Sequence, residues 1–167
     1  MTRVVLLVAV LFLVGCGGGD DGSSGENGIA DKQPTKKEYL ARGDAVCGDA
    51  QAELARLQPR IQRARSAKSS DERLRLGAAI WRDQLAITER FAADIRALGA
   101  PPGDRERVEE FIRALDEGAN LGREVLQHLE DGEEPPQALI EDYARTAYRG
   151  NALARGYGFT VCGREGG

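Results

Sequence analysis

"GDAVCGDAQAELARLQPRIQRA", residues 43–64, places small or apolar side chains at Gly43, Cys47, Ala50, Leu54, Leu57, Ile61 and Ala64, at alternating steps of four and three. A helix turns once in about 3.6 residues, so this spacing lines all of these positions along one side. One buried side on an otherwise polar helix is the pattern a bundle requires. Pro59 lies off the stripe. It lacks an N–H and its ring crowds the carbonyl four residues earlier, so it is expected to bend the helix while Ile61 and Ala64 stay in phase. The helix opens at Thr35-Lys36-Lys37-Glu38, where Thr and Glu have the spacing of a capping box.

The same reading extends to the C-terminus. Ser69-Ser70-Asp71-Glu72 is a second capping box, and the helix behind it carries Leu74, Gly77, Trp81, Thr88, Phe91, Ile95 and Leu98 on one face, widened by Ile80, Leu85 and Ile87. It stops at "LGAPPGD", where Gly99 can cap the end and Pro101-Pro102 forbid continuation. A third helix from about Asp104 holds Val108, Phe111, Ile112, Leu115, Gly118, Gly122, Val125, Leu126 and Leu129. After Gly132 and Pro135-Pro136, a fourth carries Leu139, Ile140, Tyr143, Ala147, Gly150 and Leu153 until "GYGFTVCG" breaks it. No segment alternates with period two, so no strand is expected. Short connections make neighbouring helices antiparallel, and the expected fold is an all-α, antiparallel, up-down four-helix bundle spanning residues 35–167.

The first 34 residues differ in kind. Arg3 supplies a positive start, and Val4 to Val14 is uninterrupted hydrocarbon. At ~1.5 Å per residue that run spans about 16 Å, half of a hydrocarbon core of about 30 Å, and so suits a cleaved leader better than a lasting span. Leu13-Val14-Gly15-Cys16 resembles the lipobox of bacterial lipoproteins. The resemblance implies a diacylglyceryl group on the Cys16 sulfur and cleavage after residue 15. Two or more acyl chains anchor stably where one is marginal. The alternatives are an ordinary secretory leader with an unmodified Cys16, or an uncleaved signal anchor.

Residues 16–34 then read as a tether. They are rich in Gly, Ser and acid and poor in apolar side chains, with a coil reach of roughly 21–25 Å. Asp20, Asp21 and Glu26 lie in this stretch without a fixed loop to make them a calcium site.

If Cys16 carries lipid, Cys47 and Cys162 remain, on a chain that the leader sends into an oxidising space. About 30 Å of helix separates Cys47 from the end of the first helix, and the fourth helix has about the same length. The chain is therefore expected to return to the level of Cys47 as the fourth helix ends, and a disulfide is expected to join helix one to the C-terminal tail. More than a hundred residues and the lack of a CxxC motif argue against a redox or metal pair.

Net charge is −4 and the pI about 5.2, which gives no reason to expect a nucleic-acid partner. His128 is the single histidine, and Glu124 one turn earlier does not complete the Glu-x-x-His set of a di-iron bundle. Neither a metal nor a cofactor is expected. Nor is a catalytic constellation recognisable, although a buried, perturbed carboxylate among Asp83, Asp94 or Asp116 would signal one.

Gly118 and Gly122, spaced as GxxxG, and Gly150 are costly inside helices. Close helix crossing explains them, and a gap for an apolar ligand beside Trp81 is the sharper alternative. "RLQPRIQRARSAK" gathers Arg56, Arg60, Arg63, Arg65 and Lys68, a basic run that either is simply solvated or touches anionic lipid or an acidic envelope polymer. Opposite in sign, Glu130, Asp131, Glu133 and Glu134 crowd the turn before the fourth helix.

Taken together, the lipobox, the tether, "KKEYLARGDAVCGDA" and the terminal "ARGYGFTVCG" resemble a group of small actinobacterial lipoproteins with an early A-x-x-C and a closing YG[FL]xxCG. That resemblance implies roles for Cys16, Cys47 and Cys162 and none in catalysis. The expected protein is a non-enzymatic module, lipid-anchored on the extracytoplasmic face of the cell membrane, that binds an envelope protein or polymer through a helix face. A bundle holding an apolar ligand near Trp81, Gly118, Gly122 and Gly150 is the rival expectation.

Overall fold

The computed structural model describes residues 33–163. The leader, Cys16 and the tether up to residue 32 lie outside the described residues. Five helical segments follow one another: α1 (Lys36–Ala55), α2 (Gln58–Arg65), α3 (Ser70–Ala97), α4 (Arg105–Glu130) and α5 (Gln137–Tyr157). They form the four-helix up-down bundle expected, with α1 and α2 as the two halves of its first member. Among the described residues there is no strand.

Pro59 divides that first member instead of only bending it. Without a proline N–H to receive, the chain tightens ahead of Gln58, where Arg56 N–H donates to Glu53 O at 3.1 Å and Leu57 N–H to Leu54 O at 3.0 Å, a 3₁₀ turn. Arg56 and Leu57 stay right-handed, so the stripe passes through the break intact. Leu57, Ile61 and Ala64 are buried together with Ile80 and Ile87 of α3.

The caps behave as local chemistry dictates. Thr35 Oγ1 accepts from Glu38 N–H at 3.3 Å, and the Glu38 carboxylate accepts from Thr35 N–H at 2.8 Å. Ser69 Oγ accepts from Glu72 N–H at 3.2 Å, while Glu72 reaches the Lys68 N–H at 3.4 Å, one residue before the cap. Together such caps contribute about 1 kcal/mol per helix end. Asp104 precedes α4 but does not cap it through its side chain. Its carboxylate is instead turned toward Lys36 and Tyr157.

α3 packs against α1 and α2 on one side and α4 on the other, and α4 packs against α5. Tyr39, Ile95 and Val125 are wholly enclosed. Burying a side chain of that class contributes about 1.5–3 kcal/mol, an upper estimate. On α5 the inward position is Thr146, whereas Ala147, expected on the buried face, is exposed. One residue is a 100° turn, and the register is set by Tyr143, Gly150 and Tyr157.

The return path of the chain also differs from expectation. α5 ends beside Tyr39, about two turns beyond the level of Cys47, with the Tyr39 and Tyr157 rings edge to face at 5.8 Å. Gly158 then adopts φ +118°, a conformation that side chains with a Cβ avoid, and reverses the chain. The tail descends between α1 and α5. Phe159 lies against Gly43, Val161 O accepts from Gln51 Nε2 at 3.1 Å, and Cys162 reaches Cys47 with a Cα separation of 5.1 Å, forming the disulfide. Bridging a sequence separation of 115 residues contributes about 4–5 kcal/mol in the chain-entropy account.

Candidate functional site

Three of the expected ligand-lining residues come together. Trp81, Gly118 and Gly122 border a narrow seam between α3, α4 and α5, with Gln84, Thr88 and Tyr143. Trp81 and Tyr143 meet edge to face at 4.9 Å, and Gln84 Nε2 donates to the Tyr143 hydroxyl at 3.0 Å. Burial raises the Tyr143 phenol pKa above its ordinary value, against the lowering effect of the Gln84 bond, so the group stays neutral near pH 7. The seam has no room for even one water molecule. Gly150 does not join it and instead faces Ala114 further along α4.

These contacts form an antiparallel ladder in which Gly122 meets Tyr143, Gly118 meets Thr146, and Ala114 meets Gly150. A Cβ at Gly118 or Gly150 would find its nearest neighbour at 3.9 Å, and one at Gly122 would find Leu85 at 3.5 Å. These are ordinary contacts. The crossing is close enough to exclude large side chains, yet it accommodates alanine.

The carboxylates considered for acid–base chemistry do not converge. Asp83 pairs with Arg60, Asp116 takes both its bonds from Arg96 at 2.8 and 2.9 Å, and Asp94 is exposed. His128 sits on the rim, 3.5 Å from a Glu133 oxygen, and Glu124 one turn earlier is exposed. Among the described residues no group of three His, Cys, Asp or Glu side chains could hold a metal. Nor is any helix among them long and apolar enough to cross a membrane.

Sequence reasoning missed the most organised polar cluster, which locks the tail. The Asp44 carboxylate accepts from the backbone N–H groups of Thr160 (3.0 Å), Val161 (2.7 Å) and Cys162 (3.3 Å), and from the Thr160 hydroxyl (2.6 Å). Burial alone would raise the Asp44 pKa. The Thr160 hydroxyl and the three backbone donors outweigh it and hold the carboxyl below its ordinary value. Above this lock, the Tyr157 hydroxyl donates to Asp104 at 2.9 Å, and Lys36 lies over the Tyr157 ring at 4.3 Å. Burial first, then Asp104, raises the Tyr157 pKa. Tyr39 beside it is pushed up to about 12 by burial, and its hydroxyl has no hydrogen-bond partner among the described residues.

A broad depression of about 420 Å³, also unforeseen, lies between α3 and the end of α4, lined by Arg75, Ala78, Ala79, Arg82, Leu129 and Glu130. No protein-family model matches the chain, no curated protein is detectably similar to it, and no solved structure matches it. The functional reading therefore rests on the residues themselves.

Proposed function

We propose that the protein is a non-enzymatic helical module, lipid-anchored through Cys16 on the extracytoplasmic face of a membrane, that binds another envelope component through a helix face. The observation that carries this reading is the Cys47–Cys162 pair. A structural disulfide persists in oxidising compartments and is rare in reducing ones. It thus agrees with a leader that ends in Leu13-Val14-Gly15-Cys16. The first helix is capped at Thr35, and a Gly-rich coil of the length that separates it from Cys16 would reach roughly 21–25 Å.

The deciding measurement is the intact mass of detergent-extracted protein from a bacterial host. Loss of residues 1–15 with a diacylglyceryl adduct on Cys16 is expected, and Cys16→Ser should leave the unprocessed precursor. A processed chain carrying a free thiol at Cys16 would overturn the anchor. Whole-cell crosslinking with and without Cys16→Ser tests the partner, whose capture should depend on tethering.

A second reading is favoured by the gathering of Trp81, Gly118 and Gly122 around one seam. An apolar ligand there would have to part the helices. A rise in melting temperature on adding lipid extract would support it, and an unchanged melting temperature would not.

A further inference from the structure

Asp44, Cys47 and Gln51 follow one another at steps of three and four, so they line one side of α1 with the cysteine in the middle. All three hold the returning tail. Asp44 accepts from the N–H groups of Thr160, Val161 and Cys162 and from the Thr160 hydroxyl, and Gln51 Nε2 donates to Val161 O one turn beyond Cys47. On the α5 side, Arg155 Nη1 donates to Gly163 O at 2.6 Å, and Phe159 fills the space that Gly43 leaves.

None of these contacts uses a sulfur atom. The same set is open to the chain while both cysteines are thiols, and the Cys162 thiol then has the Gly43 carbonyl oxygen at 3.4 Å as an acceptor. Asp44 supplies the strongest member of the set, since a hydrogen bond to a charged group contributes more than a neutral one. It takes the N–H of Cys162 itself. Cys162 is thus placed by its own backbone, and a Cα separation of 5.1 Å puts its sulfur within bonding range of Cys47.

Cys47 and Cys162 are 3 % and 8 % exposed, so an external oxidant reaches neither while the tail is seated. Closure of the bond therefore takes two steps. With the tail loose, a thiolate of the pair attacks the sulfur–sulfur bond of a small disulfide such as oxidised glutathione, which leaves a mixed disulfide on the protein and releases one glutathione thiolate. The tail then seats, the second cysteine thiolate attacks the protein sulfur of the mixed disulfide, and the second glutathione thiolate departs. The two cysteines lose two protons and two electrons, and the oxidant gains the electrons. The bulk of glutathione opposes burial, so the rate of the second step follows the fraction of time for which the tail is seated.

We propose that Asp44 is the positioning residue for this closure: its carboxylate seats the tail before the bond exists and presents one sulfur to the other. The bundle thereby directs its own cross-link. The inference rests neither on the lipid nor on a partner, and an unmodified Cys16 would leave it standing.

The test uses the detergent-extracted full chain, reduced, freed of reductant and exposed to oxidised glutathione at neutral pH, with acid-quenched samples mapped by mass. The wild type should pass to the Cys47–Cys162 bond with little glutathione adduct on either cysteine. Asp44→Asn should accumulate that adduct and close at least about fivefold more slowly, the loss expected for a partly exposed charged acceptor. In the reduced proteins, iodoacetamide should reach Cys162 faster by the same factor in Asp44→Asn, while circular dichroism shows equal helix content, a combination that general unfolding does not produce. Thr160→Val, which removes one donor from the tail and leaves α1 as it is, should slow closure in the same direction. Asp49→Asn, exposed on α1, should change the rate by less than about twofold. Wild-type rates in both Asp44→Asn and Thr160→Val, an equal slowing in Asp49→Asn, or slowing accompanied by loss of helix in the reduced chain would overturn the proposal.

Discussion

The ring of Phe159 occupies the space that a side chain on Gly43 would fill, so that a Cβ at Gly43 would overlap the ring edge. Phe159 is itself buried among Tyr39, Phe111 and Tyr157, with ring centroids at 5.7–5.8 Å, so displacing it would disturb three packed rings. Gly43→Ala should therefore destabilise the protein, although alanine is the better helix former. Overpacking of this kind costs about 1–3 kcal/mol, against a helix-propensity gain of about 1 kcal/mol. Thermal unfolding of the oxidised protein should show a lower melting temperature. An unchanged or higher value would mean that the tail yields easily and does not hold the α1–α5 gap.

Asp44 makes stability depend on pH in a defined direction. Its pKa is lowered from 3.8 by the donors of the tail, so the folded state favours the ionised form. A depressed carboxyl contributes stability that is present above 3.8 and is lost as pH falls through the lower folded value. Asp44→Asn should be less stable near neutral pH by about 1 kcal/mol, discounted for its partial exposure. Unfolding midpoints measured from pH 6 downward should converge for the two proteins below about pH 4. A constant gap at all pH values would show that the charge on Asp44 is not what holds the tail.

The distance over which each feature acts explains what could be read from the chain. The Leu57–Ile61–Ala64 stripe and the Thr35 and Ser69 caps are set within a few residues, and they were legible. The tail lock was not. Gly43 and Asp44 acquire their meaning from Phe159 and from N–H groups 116–118 positions later. Locally, "GYGFTVCG" reads only as the end of a helix. The pairing of Cys47 with Cys162 was legible because cysteines are few, yet the reversal at Gly158 that delivers Cys162 was not. Of the seam, Trp81, Gly118 and Gly122 share inward faces and do meet. Gly150 shares the face of α5, but lies two turns along from Tyr143 and packs on Ala114 instead.

Tyr39 offers a substitution expected to stabilise. Its hydroxyl is buried with no partner among the described residues, while its ring packs against Tyr157 and Phe159. An unpaired buried hydroxyl costs about 1–3 kcal/mol, and phenylalanine keeps the ring without it. Tyr39→Phe should therefore raise stability by about 1 kcal/mol in denaturant unfolding, with an unchanged slope. Destabilisation by a similar amount would reveal that the hydroxyl has a bonded water, and would make Tyr39 part of a polar network with Tyr157 and Asp104.

The glycines of the α4–α5 ladder decide between two reasons for their presence. If tight crossing required them, alanine would clash. The space at Gly118 and Gly150 instead admits a methyl group, with Thr146 and Ala114 at 3.9 Å. Gly118→Ala and Gly150→Ala should each raise stability by up to about 1 kcal/mol through reduced backbone freedom in the unfolded chain. Gly122→Ala, with Leu85 at 3.5 Å and Tyr143 at 3.6 Å, should be close to neutral, because the contacts are already at van der Waals distance. Gly122→Leu places a full side chain into a seam that has no room for water, and should cost about 1–3 kcal/mol as overpacking. Melting temperatures for the four variants provide the check. If Gly122→Leu were tolerated without loss, α3 and α5 would have to part readily around Trp81, and that opening is what a ligand between the helices needs.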